Sequence, residues 1–269
     1  MKHSKIRFLS LIILVANSCG TPVPQPPARI NPLDGFRLVD LSHPYDDETI
    51  FWPTGKPFHH EQTSWGISEG GYWYSSYDFA LSEHSGTHLD APIHFGEGKA
   101  TVGELSLDQL SGPAYVVDIS AQSERDANYK ATVADFEAFE SLHQPIGEKS
   151  IVLVRSGWSS RWPNVKSYMG DDTPASATNL HFPGISPAAA EWLVSRKVAV
   201  VGIDTASIDT GSSTDFQTHQ VLAAAGIPGL ENVTNLDLVP ATGATVMALP
   251  MKIGNGSGAP CRIVALVPK

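Results

Sequence analysis

Cysteine is nearly absent from this chain. Cys19 and Cys261 are the only two in 269 residues, which excludes a disulfide-stapled scaffold and a cysteine-rich zinc ribbon. Basic residues are also scarce: 18 Lys and Arg stand against 28 Asp and Glu, a net charge of −10. That balance argues against nucleic acid or an anionic membrane as a partner for the body of the protein. The apolar run at the start, Phe8 to Ala16, is too short to cross a bilayer as a mature helix. No internal repeat occurs. What the chain does have is 42% apolar and 9% aromatic residues, enough for an ordinary globular core.

The first residues read as an address, not as fold. Lys2, Lys5 and Arg7 precede the apolar run, so residues 1–18 are expected to be an export signal. Ala16-Asn17-Ser18 fits a small-x-small cleavage site for ordinary secretion. Alternatively, Cys19-Gly20 with the following TPVPQPP resembles a bacterial lipoprotein start. Cys19 would then carry lipid, and the Pro-rich residues 19–35 would form a stiff tether. Both readings place the protein outside the cytoplasm, periplasmic or membrane-anchored, touching a membrane only through that lipid. With Cys19 lipidated no intrachain disulfide is possible, and the core must supply the stability. From Phe36 to residue 269 the pattern is dense and unbroken, so one domain is expected.

Short β-branched runs predict strands at 36–41, 72–81, 114–119, 150–156, 198–204, 244–249 and 261–267. Ser186-Pro187 starts a helix, Ser as cap and Pro in the first turn. Asp215 is a candidate cap for a second helix that Gly226 ends, and a third is expected over Val133 to Leu142. Strands outnumber helices without strict alternation. That points to an α/β domain with a mixed sheet or barrel and flanking helices, not to a doubly wound parallel sheet.

The chemistry concentrates in EHSGTHLDAPIHF, residues 83–95. His84, His88, Asp90 and His94 all occupy even positions, and in an extended chain these share one face. Gly86, Thr87 and Pro92 disfavour a helix. Three imidazoles and a carboxylate on one face are hard to bury without a metal, because each ring needs a partner. Imidazole and carboxylate without thiolate suit a divalent ion such as Zn or Mn.

The segment HSGTHLDAPIHF resembles the signature HxGTHxDxPxHF of the metal-dependent cyclase family, which includes bacterial kynurenine formamidases and isatin hydrolases. Further matches follow in order: DLSHP (40–44) with Trp52-Pro53, VRSGW (154–158), FPGIS (182–186), VGIDTASID (201–209) and GSGAPCRIVAL (256–266). The resemblance implies a swivelling β/β/α-like fold with one or two divalent ions held by His84, His88, Asp90, His219 and Glu231. In it His94 is the general acid/base and Trp52 the substrate wall; Phe51 or Trp65 is a further candidate aromatic. His219 and Glu231 stand at the family's spacing of twelve residues, and Glu231 favours the two-metal, formamidase-like form. Asp204, Ser207 and Asp209 would support the ligands or the structure. His43, His59, His60 and His181 are expected at the surface or in loops.

The implied activity is hydrolysis of a small, aromatic formamide or cyclic amide. N-formylkynurenine leads and isatin follows. The implied assembly is a homodimer or homotetramer acting on a small molecule. The other class that fits is a surface lipoprotein binding a metal or small molecule without turnover. Intact His94 and Glu231 count against it.

Overall fold

Among the described residues of a computed structural model, 31–269, twelve strands and five α-helices form. The expected signal, Cys19 and most of the Pro-rich segment lie outside the described residues. The strands are β1 (Phe36–Asp40), β2 (His59–Ile67), β3 (Trp73–Ala80), β4 (His88–Asp90), β5 (Ser111–Asp118), β6 (Lys130–Ala131), β7 (Ile151–Arg155), β8 (Gly184–Ile185), β9 (Val200–Ile203), β10 (Gly229–Glu231), β11 (Thr245–Pro250) and β12 (Gly258–Pro268). The helices are α1 (Ser120–Arg125), α2 (Val133–Leu142), α3 (Val165–Met169), α4 (Pro187–Ser195) and α5 (Gln217–Ala224). No helix among them is long and apolar enough to cross a membrane.

Seven strands close on themselves in the order β12-β11-β5-β7-β9-β10-β4, and β4 pairs back to β12. β5, β7, β9 and β10 run parallel, while the β11, β12 and β4 pairings are antiparallel. The closure rests on the length of β12. Its first residues, Gly258 to Pro260, pair with β4, and its later ones pair with β11 and β1. The expected mixed α/β barrel is therefore what the chain forms.

The parallel strands are apolar on both faces because both are covered. Ile151 and Leu153 join Leu89, Leu230, Val246 and Ile263 in the barrel interior. Val152 and Val154 face outward against Phe136 of α2, Leu193 of α4 and Leu222 of α5. This is why Ile151 to Val154 are all buried. Alanines at 114, 244, 248, 259 and 265 let a narrow barrel fill without voids.

One expectation is corrected. Asp215 does not cap α5. Phe216 holds the cap position at φ 51, and the Asp215 carboxylate accepts instead from the side-chain amide of Gln217 at 2.7 Å. The expected strand at 72–81 exists as β3, but it joins no main sheet. It pairs only with β2, which no apolar run announced, in a separate hairpin. His43 lies in a loop, as expected, and is partly buried there: its ring stacks on Trp162 at 4.1 Å and burial pushes its pKa down to about 4.

Candidate metal centre

β4 is three residues long and sits between two partners. His88 lies opposite Glu231 of β10 and Pro260 of β12, and Asp90 lies opposite Gly229 and Gly258. The pairing with β10 carries Glu231 to His88 across 143 residues of sequence. Gly86, just before β4, has φ +58, and a Cβ there would meet the Tyr45 ring at 2.7 Å. Only glycine meets both demands. The resulting turn brings His84 back over β4. His94 arrives differently from the expectation. Residues Pro92–His94 form a 3-10 turn, so the shared extended face ends at Asp90.

Each candidate ligand imidazole has one nitrogen engaged behind it. His88 Nδ1 donates to the Gly86 carbonyl at 2.9 Å. His219 Nδ1 donates to Asp209 at 2.6 Å. His84 Nε2 donates to Ser257 Oγ at 2.9 Å, and Ser257 Oγ in turn donates to Glu83 at 2.8 Å. Such backing sets the tautomer and leaves the other nitrogen free to ligate. Those other nitrogens converge on two carboxylates. Asp90 Oδ1 is 2.6 Å from His84 Nδ1 and 3.2 Å from His88 Nε2, and Asp90 Oδ2 is 3.1 Å from His219 Nε2. Glu231 lies 3.2 Å from His88 Nε2 and 3.0 Å from His219 Nε2. The groups form two triads that share Asp90: His84, His88, Asp90 and Asp90, His219, Glu231.

One atom tests whether these residues fit a cation. His88 Nε2 is fully buried and, though near both carboxylates, makes no hydrogen bond. Such an orphan costs energy in a protein-only site. An ion in the triad of His84, His88 and Asp90 would take that nitrogen as a ligand, so the residues fit a divalent ion.

Burial, the largest influence, would raise Asp90 and Glu231, but the surrounding imidazoles hold both below the usual carboxylate range. Burial would lower the imidazoles, but the carboxylates lift His88 to about 10 and His219 well above its ordinary value. The metal-free cluster therefore keeps protons where a cation would otherwise bind. His94 behaves in the opposite sense. Burial pushes it down to about 4, opposed by the Asp90 charge. Its ring stacks on His84 at 3.8 Å, and among the described residues neither of its nitrogens has a hydrogen-bond partner.

A cavity of about 310 Å³ opens beside the cluster. Trp52 lines it as expected, with Phe95 and Phe216 completing the apolar wall; the Trp52 and Phe216 rings meet edge-on at 6.0 Å. Trp65 and Phe51 do not line it. Trp65 sits out on the β2–β3 hairpin, and Phe51 lines a separate cavity behind. Phe95 was visible as the last residue of the signature segment. Phe216 carried no sequence signal. The lining contains no Lys or Arg.

The supporting acids separate in role. Asp209 accepts from the backbone N–H of Thr218 and His219, both at 3.1 Å, so it caps α5 while orienting His219. Asp204 is fully buried and braces the loop after β7 through Ser156 and Gly157. Ser207 lines the cavity.

With this geometry in view, the family assignment follows. The family described as "Putative cyclase" matches residues 39–210, and the chain belongs to it. An isatin hydrolase of Roseibium aggregatum is 36% identical over 197 residues, 70% of this chain and 73% of its own length. A kynurenine formamidase of Polaromonas naphthalenivorans is 27% identical over 232 residues, 85% of this chain and 90% of its own. A solved structure, isatin hydrolase A from Labrenzia aggregata bound to benzyl benzoate, superposes with a TM-score of 0.80 at 31% identity. It covers 87% of this chain and 95% of that one.

Proposed function

We propose that this protein is a metal-dependent hydrolase of a small, neutral, aromatic amide, with an isatin-like lactam as the leading substrate class. The orphaned His88 Nε2 at the meeting point of two carboxylates and two further imidazoles carries the metal part of this reading. His84, His88, Asp90, His219 and Glu231 would hold one or two ions, with Asp90 shared. A set of nitrogen and carboxylate ligands without thiolate suits Zn or Mn. The substrate part rests on the wall of Trp52, Phe95 and Phe216 and on the lack of any Lys or Arg in the lining. Such a cavity accepts a flat neutral ring and offers no Lys or Arg to pair with an amino-acid carboxylate. A second reading, hydrolysis of N-formylkynurenine, is favoured by the acidic ligand at Glu231 and by the similarity to named formamidases.

A divalent ion bound here supplies a water acidic enough to attack at neutral pH and a Lewis acid for the carbonyl oxygen. The residues do the rest. Trp52 and Phe216 hold the ring against the cluster. His94, neutral above about pH 4, accepts the proton of the attacking water. It then donates that proton to the departing amide nitrogen, which leaves poorly as an anion. A low pKa makes the imidazolium a strong acid for this second step.

The test is turnover of isatin, N-formylkynurenine and formanilide by protein loaded with Zn or Mn and by protein treated with chelator. Metal-dependent opening of isatin, faster than that of N-formylkynurenine, is expected. Metal-loaded protein that turns over none of the three would leave a binding protein in place of a hydrolase.

A further inference from the structure

Of the three imidazoles that converge on the carboxylates, His88 has the least direct support behind it. Asp209 backs His219, and Ser257 with Glu83 backs His84. His88 Nδ1 meets only a backbone carbonyl, that of Gly86, at 2.9 Å. Gly86 sits in left-handed backbone at φ +58, and glycine is the residue least able to fix its own peptide plane. A second group must hold that carbonyl if His88 is to present Nε2 in one direction.

Asn232 is that group. Its Nδ2 donates to the Gly86 carbonyl at 2.6 Å, and its Oδ1 accepts from Tyr168 Oη at 2.9 Å. Its own backbone carbonyl accepts from Thr87 Oγ1 at 2.7 Å. One residue thus grips the two that precede His88. Asn232, Tyr168 and Thr87 are all buried, so water does not compete for these bonds. The Gly86 oxygen then uses both lone pairs, one for Asn232 and one for His88. An amide suits the position because it accepts from a hydroxyl and donates to a carbonyl at once. A carboxylate of the same shape has no proton to offer Gly86.

The backbone makes this grip possible. Asn232 follows Glu231 directly, at the end of β10, in left-handed backbone with φ 53, a conformation Asn tolerates better than most residues. Glu231 lies 3.2 Å from His88 Nε2. Two adjacent residues therefore address opposite sides of one ring, Glu231 at the ligating nitrogen and Asn232 behind the other. Tyr168 reaches the network from α3, out of the core cluster against which Trp52 packs. Trp158 Nε1 donates to the Tyr168 carbonyl at 2.7 Å and so fixes that end of α3.

We propose that Asn232, with Tyr168 behind it, is a positioning residue for His88: it locks the Gly86 carbonyl so that the ring keeps a proton on Nδ1 and turns Nε2 to the metal. This rests on the metal reading of the site given above. Asn232 touches neither ion nor substrate; it organises the ligand set before the ion arrives.

The experiment compares Zn affinity, by competition with a chromophoric chelator, and the visible absorption spectrum of the Co(II)-loaded protein. Melting in excess chelator reports fold stability separately. The wild type is expected to bind Zn. Asn232→Gly keeps the left-handed backbone and removes the amide. Its Zn binding is expected to weaken by roughly 10- to 100-fold, the range for losing a group behind a ligand, with an altered Co(II) spectrum. Tyr168→Phe removes one hydroxyl and should move both readouts the same way, by about 10-fold in affinity. It leaves the backbone of Glu231 untouched, so its loss cannot come from that ligand. Asn235→Gly is the control. Asn235 is also left-handed, at φ 55, but donates to the Asp40 carbonyl instead. It should match the wild type in both metal readouts, whatever its melting temperature. If Asn232→Gly does not fold, Tyr168→Phe decides by the same criteria. A lower melting temperature in Asn232→Gly with wild-type affinity and spectrum would make the network structural and overturn the proposal. Equal losses in Asn235→Gly overturn it too. A wild type that binds no Zn is a different failure: it removes the metal reading, and this proposal with it.

Discussion

Asp90 and His94 stand four residues apart in one short segment and carry opposite electrostatic burdens. The surrounding imidazoles keep Asp90 ionised, whereas burial keeps His94 neutral with a pKa near 4. Asp90 contributes one oxygen to each triad. Asp90→Ala should therefore empty the site, and metal analysis showing full occupancy in that variant would remove it from the ligand set. His94→Ala should keep its metal, since neither ring nitrogen points into a bonded network. Turnover of an anilide or lactam should fall by roughly 100- to 10,000-fold, the usual range for a lost proton carrier. An activated ester, whose leaving group needs no proton, should suffer much less. Equal losses on both substrates would show that the proton carrier lies elsewhere. At this scale the sequence was most legible: His84, Asp90 and His94 line the cavity, and His88 lies behind it, 3.2 Å from Asp90. Asp209 was less so, because its part in orienting His219 depends on a helix beginning eight residues later.

At the scale of elements, the site depends on short pieces held by their neighbours. β4 has three residues, yet hydrogen-bonded partners on both sides make it a central strand. The turn that precedes it depends on Gly86. Gly86→Ala would force a side chain into left-handed backbone and against the Tyr45 ring. A cost of about 1–3 kcal/mol is expected for such strain. Because the strain sits between His84 and His88, metal affinity should fall as well, while Ala at Gly243, which has open space around it, should cost stability but not affinity. Isothermal titration with Zn on both variants checks this, and equal affinities would show that the turn does not set the ligand geometry. The helix α5 gives the complementary lesson. Its existence and its end at Gly226 were legible from composition, but its start was misassigned to Asp215. Two acids within reach of a helix start look alike in sequence, and only β9 and the following loop put Asp209 under the first-turn N–H groups.

For the whole molecule, metal and proton compete for the same imidazoles. In the metal-free protein His88 is raised to about 10 and His219 well above its ordinary value. A raised histidine stabilises the fold fully below its unfolded pKa of roughly 6.5 and loses that contribution as pH rises through its folded value. Metal-free protein should thus become less stable between pH 6.5 and 10. Metal binding requires those protons to leave, so apparent affinity should rise about tenfold per pH unit for each proton displaced. At roughly 1,000 times the dissociation constant the ion adds about 4 kcal/mol, on the order of 10 °C in Tm for a domain of this size. Melting curves with and without chelator should diverge as pH rises from 6 to 9; parallel curves would refute the linkage. The sequence by itself determined the residue types of the site, the segment 83–95, most barrel strands and the mixed α/β class, because each leaves a local trace in spacing or composition. Only the tertiary structure decided that β12 would close the barrel and that Glu231 would reach His88. It alone placed Phe216 against Trp52 and turned the aromatic face of the β2–β3 arm outward. Those outcomes depend on pairings between segments far apart in the chain, and strand register, not any local pattern, sets which side chains meet.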